Sequence, residues 1–170
     1  MSLADVQAVI ESAKSRGMEP LERYIRRQLP EATEGEVREA AEVALEIIDS
    51  VPIFLARADQ EAEERKLEAV ITPILDHVER YFLQPMDLIP EMTHGLVGLL
   101  DDSYLVLRIL ENLDRGPDRF LDWDLEHPLQ FLRRLVGEDI ARKLDERSLD
   151  AMGEISQDLT HFWDQVSRRA

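Results

Sequence analysis

Apolar residues recur along this chain at three-and-four spacing in nearly every segment, and nowhere do they alternate strictly with polar ones. That periodicity matches the 3.6-residue turn of an α-helix and excludes half-buried strands, which need a period of two. The chain is therefore expected to be all-α. Of its 170 residues 44% are apolar, enough for the core of one domain of ordinary size. Residues 1–170 are expected to form a single compact bundle of about seven to nine helices.

The helix boundaries follow from caps and breakers. Ser2, with Asp5 three residues on, is placed to cap a first helix bearing Leu3, Val6, Ile10 and Ala13, which Gly17 ends. Pro20 suits the first turn of a second, with Leu21, Tyr24, Ile25 and Leu29, closed by Pro30. Thr33 and Glu36 form a capping box for a third, whose stripe runs Val37, Ala40, Ala41, Ala44, Ile47, Ile48, Val51. Ser50 and Pro52 are expected to restart the chain into a fourth helix reaching Lys66. From Leu67 to Phe82 a stronger stripe is interrupted by Pro73, which either kinks one helix or follows a Thr72 cap on a new one. After an irregular stretch from Pro85, helices are expected from about Gly98 to Leu113, from Pro128 to Gly137, from Glu138 to Arg147, and from Ser148 toward Arg168.

Charge and composition narrow the function classes. Lys and Arg number 20 against 36 Asp and Glu, a net charge of −16. That excess opposes polyphosphate backbones and anionic lipid surfaces, so no nucleic-acid partner is expected. There is no cysteine, hence no disulfide, thiolate metal site or thiol nucleophile. No run nears the roughly 18 apolar residues of a membrane-spanning helix, and the N-terminus lacks a basic, apolar export signal. A cytoplasmic protein without integral membrane insertion is the expectation. Between residues 81 and 127 ten acids face three arginines, a local charge of −7.

The stretch Tyr81 to Asp102, YFLQPMDLIPEMTHGLVGLLDD, departs from generic helix by placing two prolines, two glycines and four carboxylates between two apolar segments. Tyr81, then Pro85-Met86-Asp87-Leu88-Ile89-Pro90-Glu91, then Gly98-Leu99-Leu100-Asp101-Asp102 resemble the signature of the YkvA-like proteins, the family of unknown function DUF1232. The resemblance spans about residues 67–113 and implies a helical hairpin with a fixed, proline-rich turn. It implies no activity. Glu91 stands where the family has Asp, and Thr93-His94-Gly95 replaces a second proline. The apolar, membrane-suggestive character of many members is not repeated in this acidic chain, which leaves a peripheral membrane role as an expectation by analogy only.

Each of the four acids has an architectural reading. Pro85 and Pro90 hold the turn, Asp87 accepts its backbone N–H groups, and Asp101 and Asp102 complement the positive end of the next helix. The competing reading is a metal site, in which Asp87, Glu91, Asp101 and Asp102, with His94, offer hard oxygen ligands and one imidazole to Mg, Mn or Ca. Glu91-x-x-His94 has the di-iron spacing, but the second motif it needs appears only as Asp158-x-x-His161.

The other candidates are weaker. His77 flanks a buried stripe, and His127 precedes Pro128 as a capping or turn residue. Ser2, Ser50, Ser103 and Ser148 lack a nucleophile-elbow context, and no phosphate-binding glycine loop is present. Arg23, Arg26 and Arg27, and Arg133, Arg134, Arg142, Lys143 and Arg147, read as salt-bridged faces before anion sites. Trp123, between two aspartates, reads as a contact residue or a partly buried anchor. No complete catalytic constellation emerges. The expectation is a non-enzymatic interaction or scaffold protein, associating with itself or with a protein partner, and without a catalytic residue or cofactor. The alternative is a metal-binding protein or metal-dependent enzyme.

Overall fold

The computed structural model describes residues 2–83, 95–113 and 123–169, with side chains described as far as Gly153. Among the described residues there are seven helices and no strand. They are α1 (Leu3–Lys14), α2 (Glu19–Gln28), α3 (Glu34–Glu64), α4 (Glu68–Leu83), α5 (Gly98–Leu113), α6 (Glu126–Val136) and α7 (Glu138–Arg169).

Two helices organise the rest. α3 packs against α1, α2, α4 and α5, while α5 packs against α3, α4, α6 and α7. The contact face of α3 is built largely from small side chains, with Ala41, Ala44, Ala58 and Ala62 fully buried among Ile48, Val51 and Leu55, so its neighbours can approach closely. α5 is different, because every residue from Leu99 to Leu107 is buried. A helix buried on all sides has neighbours on all sides, and α5 is the axis of this bundle.

Two expected boundaries are corrected. α3 runs unbroken through Pro52, and α7 runs unbroken past Arg147 and Ser148. An internal proline costs about 3 kcal/mol, yet the stripe continues on both sides of it through Val51, Pro52 and Leu55, all buried. Burying two such side chains offsets that cost at about 1.5–3 kcal/mol each. In the turn before Pro52, the Ser50 hydroxyl donates to the Ile47 carbonyl at 2.6 Å, so Ser50 serves the helix it was expected to end. Ser148 likewise is buried and donates its hydroxyl to the Asp145 carbonyl at 2.7 Å. α4 continues through Pro73 as one helix. Pro73 and Ala69, whose carbonyl the missing N–H would have met, both lie on the exposed side, so the lost bond costs less than it would in the core.

The caps divide. Thr33 forms the expected box, its hydroxyl accepting the Glu36 N–H at 3.2 Å and its own N–H donating to Glu36 Oε2 at 3.3 Å. Ser2 makes no side-chain cap. Instead its backbone N–H donates at 2.8 Å to Oε1 of Glu79, a buried carboxylate on α4, which needs a donor more than an exposed helix end does. At the end of α3, Lys66 adopts φ +57°. The Leu67 N–H reaches the Ala62 carbonyl at 2.8 Å and the Lys66 N–H reaches that of Glu63 at 3.1 Å, the paired bonds of a Schellman motif.

Candidate functional site

α5 begins where the sequence places its motif acids. A turn through Leu96 and Val97, whose carbonyls accept the N–H groups of Leu99 and Leu100 at 3.1 Å each, delivers the chain into the core. Asp101 and Asp102 follow at 2% and 3% exposure, with Ser103 and Tyr104 as deeply buried. Asp101 Oδ1 accepts the Asp102 backbone N–H at 3.0 Å, and its position in the first turn sets it against the positive end of the helix dipole. Burial, and then the charge of Asp101, push the Tyr24 hydroxyl up to about 12. Taking a carboxylate out of water costs several kcal/mol unless partners compensate, and neither aspartate is without one.

Three residues further along α5 a second polar assembly joins three helices. The Tyr104 hydroxyl donates to Asp145 Oδ1 at 2.7 Å and accepts from Arg133 Nη1 at 3.0 Å. Arg133 Nη1 donates to Asp145 Oδ2 at 2.7 Å, and its Nε donates to Glu138 at 2.9 Å. Arg108 Nε reaches Asp145 Oδ1 at 3.1 Å, and Arg108 also pairs with Glu111. Burial works to raise the Asp145 carboxyl, but hydrogen bonds from Arg133 and Tyr104 outweigh it and hold the group below the usual carboxylate range. Burial and the neighbouring carboxylate push the Tyr104 phenol up to about 12. Both charged ends of this assembly are engaged within it, so it locks α5, α6 and α7 together. Neither Tyr104 nor Asp145 stood out in the sequence, since the partners of Asp145 lie 12 to 41 residues away.

An open groove of about 540 Å³ lies between α3, α6 and the turn after α2. α3 contributes Glu36, Glu39, Ala40 and Val43, the i, i+3, i+4, i+7 set of one helix face. α6 contributes Phe131, Arg134 and Leu135, again at three-and-four spacing. Leu29, Pro30, Glu31 and Ala32 close one end. The floor is apolar and the rim carries three glutamates against one arginine. Val43 is 39% exposed. The signal available in the sequence was a second, weaker face: Phe131 stands off the stripe Leu129, Leu132, Leu135, Val136 that α6 buries.

The remaining candidates resolve one by one. Asp87, Glu91 and His94 lie outside the described residues, as do the side chains of Asp158 and His161. Among the described residues no three His, Asp or Glu side chains converge in a way that could hold a metal ion. His77 turns its ring edge to Tyr81 at 5.1 Å between centroids. His127 is exposed and pairs with Asp124, which raises the histidine and lowers the aspartate. Asp124 Oδ1 also takes the Glu126 N–H at 3.0 Å, so Asp124, one residue before the N-cap Leu125, supplies the acceptor for the start of α6. Arg23 pairs with Glu19 and Arg26 with Glu34. Trp123 stacks edge-on against Phe54 with centroids 4.6 Å apart, a partly buried anchor.

No helix among the described residues is long and apolar enough to cross a membrane. No curated protein and no solved structure matches the chain. One family profile does, that of a protein of unknown function, DUF1232, over residues 80–107. The match takes in the end of α4, the turn, and α5 as far as Leu107, so the two buried aspartates and Tyr104 fall within it and the groove outside it. The stretch that resembles DUF1232 thus includes most of α5, the axis of the helical bundle.

Proposed function

We propose that this protein is a non-enzymatic docking module, a single helical domain working in the cytoplasm, whose bundle holds open a groove for a protein partner. The observation that carries this reading is the groove between α3 and α6, apolar at its floor and lined by two helix faces at matching spacing. Surface clefts with an apolar floor and a polar rim are where partner side chains gain most from leaving water. The absence of cysteine and the acidic composition support a cytoplasmic setting. The test is a displayed peptide library panned on the full chain, with Val43→Asp as counter-selection. Sequences that bind the parent and lose the variant are the expected outcome; if no enriched sequence distinguishes the two proteins, the groove is not a docking site.

A second reading has its own observation, the adjacent burial of Asp101 and Asp102 at the start of α5. A divalent cation shared with Asp87 and Glu91 would offset the desolvation of this pair with hard oxygen ligands of the kind Mg, Mn and Ca take. Mg²⁺, Mn²⁺ or Ca²⁺ at about 100 times its dissociation constant would then stabilise the fold by about 2.7 kcal/mol, and Asp102→Asn would abolish the shift. Metal-free protein whose melting is indifferent to all three ions would sink this reading.

A further inference from the structure

The groove's rim says what kind of partner fits it. Glu31, Glu36 and Glu39 stand along it against the single cation of Arg134, and the helix that supplies two of those acids carries ten Asp and Glu against two Arg over its length. We infer that the groove accepts an amphipathic helix with apolar anchors on one face and Lys or Arg on its flanks, an inference that rests on the docking reading above. The face of α3 from Glu36 to Val43 spans about 10 Å, two helical turns at 1.5 Å per residue, with Ala40 and Val43 as its apolar positions. It matches anchors spaced i, i+3 or i+4, i+7 on a partner helix. Flanking cations would meet the three glutamates, and the net charge of −16 would steer them in from a distance. The same rim repels a fatty acid carboxylate or an anionic lipid surface, and a second copy of this chain would bring its own negative charge. A basic peptide helix is the occupant for which floor and rim both favour binding.

Two synthetic 14-residue amphipathic peptides with identical leucine faces, one with lysines and one with glutamates on the polar face, test this by fluorescence anisotropy against the full chain. The lysine peptide should bind at least about tenfold more tightly than the glutamate peptide, and more weakly as salt rises. Ala40→Trp, which fills the floor, should weaken it at least about tenfold. Val43→Asp, at a half-exposed position that does not threaten the fold, should weaken the leucine-face contact, and the helical circular dichroism of both variants confirms that the bundle is intact. Glu31→Gln with Glu39→Gln should flatten the salt dependence, while Ile53→Ser, on α3 outside the groove, should change nothing. If the glutamate peptide binds as tightly, the groove docks partners but not by charge, and this inference alone falls. If the lysine peptide binds parent and groove variants alike, its attraction is nonspecific and the inference falls. If neither peptide binds, the docking reading falls with it. Light scattering that shows a dimer broken by Val43→Asp would seat a second copy in the groove, and displacement of the lysine peptide by phosphatidylglycerol vesicles would seat a membrane there; either result overturns the basic helix.

Discussion

Asp145 is the acceptor at which side chains from α5 and α6 meet α7. Its two oxygens receive Tyr104, Arg108 and Arg133, with side chains of Asp145 and Arg108 each 23% exposed. This geometry lies between an exposed ion pair, worth at most about 1 kcal/mol, and a fully buried one, whose breaking costs about 3–5 kcal/mol. Asp145→Ala is expected to lower stability by about 2–3 kcal/mol in urea unfolding, and Tyr104→Phe by about 1 kcal/mol. A double-mutant cycle should show them strongly non-additive. The folded carboxylate is more acidic than the unfolded one, so its contribution is complete above about pH 4 and disappears as the pH falls through the still lower folded value. At the alkaline end Tyr24 and Tyr104, two of three tyrosines, are both pushed up to about 12, chiefly by burial. Their protons favour the fold below the ordinary value near 10, and that support is lost between about pH 10 and 12. Phenolate absorbance for these two groups should therefore rise together with the loss of helical circular dichroism. Two tyrosines titrating near pH 10 in the still-folded protein would contradict their burial.

Among elements, two junctions pose the same backbone problem with opposite residue choices. Gly137, between α6 and α7, has φ +89° and ψ +155°, a region essentially reserved for glycine. A Cβ there would meet only Gln28 Oε1 at an ordinary 3.6 Å, so the cost of Gly137→Ala is conformational. It should be about 1–3 kcal/mol. Lys66 occupies a left-handed conformation with a side chain, and Lys66→Gly should stabilise the fold by up to about 1 kcal/mol. Chemical denaturation of the two variants reads both signs. The helices themselves were legible because each stripe and each of the caps at Thr33 and Gly137 is local information. Their continuity through Pro52 and past Ser148 was not legible, because it depends on what packs against both halves of the stripe. The candidate site divides in the same way. Asp101 and Asp102 could be placed at a helix start from their spacing alone, but their burial comes from α3, α4, α6 and α7 closing around α5, and the groove comes from α3 and α6 both bordering the turn after α2.

For the molecule as a whole the deciding quantity is the −16 charge and its distribution. Residues 81–127 hold −7 of it, and α3 alone holds −8, ten acids against two arginines. The negative field is therefore strongest along α3, the most acidic helix of the bundle. Salt acts on this field and on the surface ion pairs in opposite senses. Screening weakens pairs such as Arg26–Glu34 and Lys14–Asp49, but exposed pairs contribute at most about 1 kcal/mol each. The uncompensated acids repel one another over distances comparable with the Debye length, which shrinks from about 30 Å at 0.01 M to about 10 Å at 0.1 M, so relief of repulsion is the larger effect. Thermal unfolding of the free protein should therefore shift to higher temperature as sodium chloride rises over that range. Association of a basic helix with the α3–α6 groove should weaken over the same range. If the free protein melted lower as salt rose, the surface pairs would outweigh the repulsion, and the case for an acidic field that draws a basic partner to α3 would lose its main support.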